Sequence, residues 1–200
     1  MAIKPILFNT EMVRAILDGR KTCTRRIIKA EKVDNVLNSP ARKSNPDIPD
    51  AQFIKCLVDM KYEPGDILYV RETWYKSPSR YMYRADYSHT ERFYKDGKEV
   101  SIKWKPSIHM PKDAARIWLK VTDVRVERLQ EITGQDVLKE GLNSHVHPQA
   151  SYFDGNQREM FEKLWNRTIK KSDLDRYGWD ASPWVWVIEF ERCEKPACMR

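Results

Sequence analysis

The sequence predicts three helices, two from the helical spacing of hydrophobic residues and one from an N-cap. An apolar stripe predicts a helix over residues 9–19, which Gly19 is placed to end in a left-handed conformation. Thr133, followed by an aspartate three residues later, predicts the N-cap of a short helix that ends at residues 140–141. Residues 158–169 carry large apolar side chains at helical spacing and predict a longer helix.

Hydrophobic runs typical of short β-strands lie between these helices. They cover residues 67–74, 81–84, 116–128 and 184–191. In the third run the alternation changes parity after Asp123, which suggests a β-bulge. Residues 86–105 are polar and contain an Asp-Gly pair, so we predict a hairpin or flap there.

Residues 31–63 show no clear period. Three prolines interrupt them, so we predict a long loop or insertion with one short strand at 53–58. The strands elsewhere are short, irregularly spaced and not arranged in a β-α-β alternation, which favours a small twisted β-barrel with helices packed outside it. The predicted fold class is mainly β with flanking helices, that is, α+β.

Composition and charge narrow the classes of function. The chain has 200 residues, a length typical of one domain with insertions. It carries 36 Lys and Arg against 29 Asp and Glu, a net charge of +7 that suits an anionic partner such as a nucleic acid. No stretch approaches the ~18 apolar residues that a membrane-spanning helix needs. The first residues also lack the apolar core of a secretory signal, so we expect a cytoplasmic protein with no membrane partner.

The basic segment at residues 20–29 is a candidate phosphate-binding surface. The arginines that could hold phosphate groups are Arg20, Arg25 and Arg26. On composition alone, a solvated loop that simply carries charge explains them better. Arg71 and Trp74 belong to a later set of cations and aromatic residues, a combination used to bind single-stranded nucleic acids, although most of these aromatic residues could equally form a core.

Lys21 and Thr24 are three residues apart, close enough for an amine and a hydroxyl to meet. A neutral lysine amine can take the proton of a threonine hydroxyl and make it a nucleophile, and neighbouring arginines disfavour a further positive charge on the lysine. Cys23 lies between Lys21 and Thr24 without an evident base, so we expect it to be a bystander. His145 and His147 could supply two metal ligands, but no third ligand is obvious, and we expect no metal and no cofactor.

At this point the motifs form a recognisable set. The segment Ile16-Leu17-Asp18-Gly19-Arg20-Lys21-Thr22-Cys23-Thr24-Arg25 strongly resembles the opening signature of ASCH domains, which belong to the PUA-like superfamily. The Pro-Gly-Asp turn that leads into a strand at residues 64–70 is similar to the second signature of that family. Three further segments are similar to the longer ASCH proteins of phages and prophages: 72–74, 104–111 and 179–187.

The resemblance implies a PUA-like β-barrel with a cleft for RNA or a modified nucleoside. One branch of small bacterial ASCH proteins hydrolyses N4-acetylcytidine with a Lys, a Thr and a Glu, which match Lys21, Thr24 and Glu140 here. This chain is longer than the members of that branch. We therefore expect one domain over residues 1–200 with insertions at about 31–63 and 86–111.

The leading functional hypothesis is metal-independent hydrolysis of the acyl amide of an N4-acylated cytidine or related nucleoside. Thr24 would attack the carbonyl, Lys21 would take and return the proton, and Glu140 would orient Lys21 or protonate the leaving amine. The residues expected to bind substrate or nucleic acid are Arg20, Arg25, Arg26, Arg71, Glu72, Trp74 and His109. The alternatives are a non-catalytic RNA-binding module and a metal-independent ribonuclease. The expected partner is RNA or a modified nucleoside, and the sequence does not identify a protein partner.

Overall fold

Two units of the chain are each assembled from stretches that lie far apart in sequence. The structure is a computed structural model that describes residues 1–88, 90–95, 97–142 and 154–197. The first unit comprises residues 1–19, 65–120 and 191–200, and the second comprises residues 20–64 and 121–190. The expected single domain with insertions stays a prediction.

In the first unit, three strands lie side by side in one sheet. Strands β1 (Ile3–Leu7) and β3 (Ile67–Arg71) are parallel. Strand β3 is antiparallel to the first residues of β8 (Trp118–Arg128), with Leu68 opposite Leu119. Neither leucine is exposed, so this ladder is part of a hydrophobic core. The strands predicted near residues 67–74 and 116–128 are therefore present.

Helix α1 (Thr10–Leu17) confirms the helix predicted over residues 9–19. The side chain of Asn9 caps it by accepting a hydrogen bond of 2.9 Å from the backbone N–H of Met12. The helix is followed by Gly19 at φ +75°, the left-handed conformation that glycine adopts without a Cβ clash.

Two hairpins complete the strands of the first unit. Strands β4 (Trp74–Lys76) and β5 (Tyr81–Tyr83) form one antiparallel pair. Strands β6 (Phe93–Lys95) and β7 (Lys98–Val100) form the other, which confirms the hairpin predicted within residues 86–105. Trp74 packs into a core cluster with Met110, Ala114 and Trp118, among other residues of this unit.

In the second unit, strand β9 (Trp184–Cys193) lies between β2 (Cys23–Ile27) and the remainder of β8. Strands β2 and β9 are antiparallel, with Thr24 opposite Ile188. Along β8 the buried positions change parity around Asp123, as the sequence predicts.

Within residues 121–190 of this unit, the described residues form the helices α5 (Gly134–Lys139), α6 (Asp154–Thr168) and α7 (Leu174–Tyr177). The predicted Thr133 cap is confirmed, since Thr133 and Asp136 form a reciprocal capping box at the start of α5. The helix ends at Glu140, and Gly141 follows at φ +89°. The hydrophobic cluster beside these helices contains Leu129, Ile132, Val137, Phe161, Trp165, Trp179, Val185 and Val187.

The prediction of a loop with one short strand over residues 31–63 is wrong. This segment contains three helices: α2 (Ala30–Leu37), α3 (Pro40–Lys43) and α4 (Asp50–Leu57). Pro40 is the first residue of α3 and Pro49 is the N-cap of α4, so both prolines begin helices. Proline is well tolerated there because the first N–H groups of a helix have no partner within it.

The fold class is confirmed at the level of a mixed sheet combined with helices. The helices form a larger part of the chain than the sequence predicts, because residues 30–57 are largely helical. Closure of the sheet into a PUA-like barrel stays a prediction. Within the described residues, no helix combines the length and the apolar character that crossing a membrane requires.

Candidate functional site

The start of strand β2 carries basic side chains into the interior of the second unit. The side chains of Lys21 and Arg25 have no exposed surface. Charged groups this deeply buried are stable only when carboxylates or hydrogen-bonding groups surround them. Their partners therefore define the site.

Lys21 forms a buried ion pair with Glu140. The Nζ atom of Lys21 lies 2.6 Å from Oε2 of Glu140 and donates a second hydrogen bond of 3.0 Å to the backbone oxygen of the same residue. The capping box of α5 and the turn at Gly141 fix where Glu140 lies at the helix end. The backbone N–H of Thr22 donates to the carbonyl of Lys139 at 2.8 Å, which holds the segment before β2 against the same end.

Arg25 extends the ion pair into a network. Its Nη1 atom lies 3.2 Å from Oε1 of Glu140, and its Nη2 atom lies 3.3 Å from Glu127 and 3.6 Å from Asp136. The network continues to Arg125, which also contacts Glu127 and Asp136. Glu140 is thus held between two cations, and Arg25 between three carboxylates.

Burial and the charges of the network shift the pKa values of Cys23 and Asp136. Burial raises the pKa of the Cys23 thiol to about 12, and the charge of Glu140 adds to that effect. The thiol is therefore protonated near neutral pH and is a poor nucleophile, in agreement with its expected role as a bystander. Burial acts to raise the pKa of Asp136, but hydrogen bonds from Thr133 and the charges of Arg25 and Arg125 together hold it below its usual value.

Thr24 is buried, with 1% of its surface exposed. Successive side chains of a strand point to opposite faces, so Thr24 lies on the face of β2 opposite Cys23 and Arg25, whose side chains contact each other at 3.7 Å. Within the described residues, no hydrogen bond joins the hydroxyl of Thr24 to Lys21. The structure thus brings Lys21 and Glu140 into contact and places the Thr24 side chain on the face of β2 opposite Arg25, which contacts Glu140.

The expected binding residues of the second unit have structural contacts. Arg20 donates to the carbonyl of Gly141, next to the Lys21–Glu140 pair. Arg25 is enclosed by carboxylates, so it does not present its guanidinium to solvent as a phosphate-binding residue would. Arg26 is partly buried, and burial lowers its pKa against the opposing effects of Glu140 and Tyr62.

The remaining expected binding residues belong to the first unit. Arg71 donates to the carbonyl oxygens of Met110, at 2.8 Å, and Ile108. Trp74 is in the core. Of the expected binding residues in this unit, which are Arg71, Glu72, Trp74 and His109, only His109 is strongly exposed, and it lies at the end of a 3-10 helix.

Glu72 is buried and forms a two-point contact with Arg116, at 2.9 and 3.1 Å. Burial raises the pKa of Glu72, while Arg116 acts in the opposite direction. The guanidinium of Arg116 also lies 4.0 Å from the centre of the Tyr83 ring. These contacts give Glu72 a structural role within its unit.

The two histidines that could supply metal ligands follow helix α5 in the sequence. His145 and His147 lie outside the described residues. In the described part of the chain, no three His, Cys, Asp or Glu side chains are grouped so that they could hold a metal ion. The expected absence of a metal or cofactor stays a prediction.

Comparison with known proteins adds a similarity at the level of the fold. No protein-family model and no curated protein matches the chain. The chain is similar to the crystal structure of an ASCH domain from Lactobacillus crispatus JV V101, with 10% sequence identity and a TM-score of 0.39. The alignment covers 96% of this chain and 79% of that one. A similarity at this identity and TM-score does not place the chain in that family.

Two acidic members of the site were not recognised from the sequence. Asp136 is expected only as a helix cap, and Glu127 is not singled out at all. The parity change after Asp123 places Arg125 and Glu127 on one face of β8, and that signal could have identified them as a charged pair. What the site offers chemically is a buried amine that donates a hydrogen bond of 2.6 Å to a buried carboxylate.

Proposed function

We propose that the chain is an ASCH-type, PUA-like protein that hydrolyses the acyl amide of an N4-acylated cytidine or a related modified nucleoside. The observation that carries the proposal is the buried contact between Lys21 and Glu140. These residues are 119 positions apart, and they are two of the three that match the Lys, Thr and Glu of the amidohydrolase branch. The resemblance to phage and prophage proteins and a cytoplasmic location belong to the same proposal.

The proposed reaction begins with a proton transfer within the pair. Movement of one proton from Nζ of Lys21 to Oε2 of Glu140 leaves a neutral amine and a carboxylic acid, with no change in total charge. The amine then accepts the hydroxyl proton of Thr24 as its oxygen attacks the acyl carbonyl. When the C–N bond breaks, the leaving N4 nitrogen takes a proton from Glu140. At that stage Lys21 is again protonated and Glu140 is again a carboxylate. Water then hydrolyses the acyl-threonine ester, which releases the carboxylic acid and restores the hydroxyl of Thr24.

In this geometry the reaction requires side-chain movement and access for the substrate. Lys21 must exchange its contact with Glu140 for one with the Thr24 hydroxyl, since among the described residues no hydrogen bond joins Lys21 to Thr24. The substrate must reach side chains that are almost fully buried: Glu140 retains 5% exposure and Lys21 none. A local displacement is therefore part of substrate entry, and movements of this kind commonly limit turnover.

The burial of Lys21 and Arg25 favours catalysis over RNA binding at the same residues. A phosphate could contact these cations only after displacing carboxylates that already pair with them. The alternatives of an RNA-binding module and a ribonuclease therefore need a different surface, or a different arrangement of this site.

The proposal is tested by incubation with N4-acetylcytidine and separation of cytidine by chromatography. We expect cytidine to accumulate with the wild-type protein and Glu140→Gln to slow its release by about 100- to 10,000-fold. Lys139→Gln is the matched control, because it changes the adjacent residue, whose side chain is about half exposed. Equal rates for Glu140→Gln and the wild-type protein would rule out the proposed role of Glu140.

A further inference from the structure

The first unit contains a groove that has no part in the site described above. Its volume is about 600 Å³, within the ~300–1,000 Å³ range of small-molecule sites. The residues that line it fall within residues 84–104 and include Phe93, Glu99 and Val100 of the β6–β7 hairpin. The lining combines aromatic, basic and acidic side chains, among them Arg84, Arg92, Phe93, Glu99 and Trp104.

Aromatic rings form one wall of this groove. The Phe93 and Trp104 rings lie 6.2 Å apart, and Tyr87 packs against both, at 5.1 and 5.8 Å. The guanidinium of Arg84 lies 5.7 Å from the centre of the Trp104 ring, and it is held there by hydrogen bonds to the carbonyls of Tyr87 and Ser88. A planar cation fixed beside aromatic rings is a surface on which a flat ring can stack without first ordering the side chains.

The positive charge of the chain is concentrated in the same unit. The first unit has 17 Lys and Arg against 11 Asp and Glu, a net charge of +6, whereas the second has 19 against 18, a net charge of +1. Exposed lysines adjoin the lining residues in the chain, at Lys98, Lys103 and Lys105. Within the groove, Arg92 lies 3.5 Å from Glu99, and both side chains are more than half exposed.

We propose that this groove binds a single-stranded nucleic acid, with bases stacked on the Trp104–Phe93 wall and phosphates held by Arg92 and the neighbouring lysines. Unpaired bases offer the flat faces that such a wall binds, whereas the bases of a duplex are already stacked on each other. The proposal does not depend on the hydrolytic reaction, because no residue of the Lys21–Glu140 site lines the groove.

The Arg92–Glu99 ion pair provides a test of the proposal, because one variant removes its positive charge and another removes its negative charge. Binding of a short fluorescein-labelled oligouridine is measured by anisotropy as a function of salt. Arg92→Gln should weaken binding about fivefold at 0.1 M salt and reduce the log–log salt slope by about 0.7, the value for one phosphate contact on a single strand. Glu99→Gln should strengthen binding, because it removes a negative charge beside the strand.

A second exposed ion pair serves as the control. Lys163 and Glu159 on α6 are similarly exposed and lie 2.6 Å apart in the second unit. Lys163→Gln and Glu159→Gln should leave the affinity unchanged. The proposal is overturned if Arg92→Gln and Glu99→Gln shift the affinity in the same direction, or if Lys163→Gln weakens binding as much as Arg92→Gln does.

Trp104→Ala tests the stacking wall. Loss of one base–aromatic contact should weaken binding by about 5- to 150-fold. Urea unfolding shows whether Trp104→Ala is folded at the assay temperature. If Trp104→Ala is unfolded, Arg92→Gln still tests the proposal. Unlabelled single-stranded RNA and DNA should compete, and a duplex that competes equally well would contradict the stacking of bases. Release of cytidine from N4-acetylcytidine by Arg92→Gln should equal that of the wild-type protein, so the two proposals fail separately.

Discussion

Removal of Lys21 should destabilise the protein far more than removal of an exposed lysine. Lys21→Met leaves the carboxylate of Glu140 inside the second unit with Arg25, 3.2 Å away, as its remaining cation. Breaking a buried ion pair by removing one partner costs about 3–5 kcal/mol. Because Arg25 still neutralises part of the charge, we expect the lower end of that range, about 3 kcal/mol.

The assay is urea unfolding followed by tryptophan fluorescence, with the free energy of unfolding taken from linear extrapolation. Lys139→Met is the control, since its side chain is about half exposed and lies 3.7 Å from Glu189. An exposed pair of this kind contributes about 0–1 kcal/mol. The double variant Lys21→Met/Glu140→Leu should be more stable than Lys21→Met, because it no longer buries an uncompensated carboxylate.

Two results would refute this reasoning. If the decreases in unfolding free energy caused by Lys21→Met and by Glu140→Leu simply add in the double variant, the two side chains are not energetically coupled. If Lys21→Met and Lys139→Met lower the free energy of unfolding by the same small amount, Lys21 does not pair with Glu140 in a buried environment.

Three further predictions follow from the second unit. The pKa of Asp136 in the folded state lies below its unfolded value of about 3.9, so its stabilising effect is present above that pH and lost as the pH falls through the folded pKa. Urea unfolding should show that wild type exceeds Asp136→Asn in unfolding free energy by a constant amount near neutral pH, and that this difference shrinks below about pH 4. A difference in unfolding free energy that grows in acid would contradict the prediction. A Cβ added at Gly178 would lie 2.5 Å from the backbone oxygen of Leu174, so Gly178→Ala should lower the unfolding free energy by about 1–3 kcal/mol, and an unchanged urea midpoint contradicts this. Iodoacetamide at pH 8 should label exposed Cys56 and spare buried Cys23, as mass spectrometry of native protein can test; equal labelling contradicts the burial of Cys23.

Elements with local signals could be predicted from the sequence. The Thr133–Asp136 capping box and the glycines after α1 and α5 act over three or four residues, so the pattern contains nearly all the information that forms them. The error over residues 31–63 has the opposite cause. The prolines in this segment suggest interruptions, but Pro40 and Pro49 stand at helix starts. The apolar run after residue 52 fits helix α4 as well as a strand.

The candidate site could be predicted only in part, because its contacts join residues that are far apart in sequence. The match of Glu140 to Lys21 came from the family resemblance, since nothing in the local pattern links positions separated by 119 residues. Arg25 was expected at a phosphate-binding surface because it belongs to a basic run. Its burial depends on carboxylates contributed by β8 and α5, which no local rule assigns to it.

The central claim is that Thr24, served by the Lys21–Glu140 pair, attacks the acyl group of a modified cytidine. The most direct measurement compares cytidine release from N4-acetylcytidine by the wild-type protein, Thr24→Val and Thr22→Val. Thr22 is exposed and lies two residues from Thr24. Thr22→Val therefore removes a threonine hydroxyl from the same segment and leaves the Lys21–Glu140 pair and Thr24 unchanged. We predict that Thr22→Val and wild type release cytidine at equal rates and that Thr24→Val is slower by several orders of magnitude. Full activity in Thr24→Val, or no cytidine from the wild-type protein, would contradict the account.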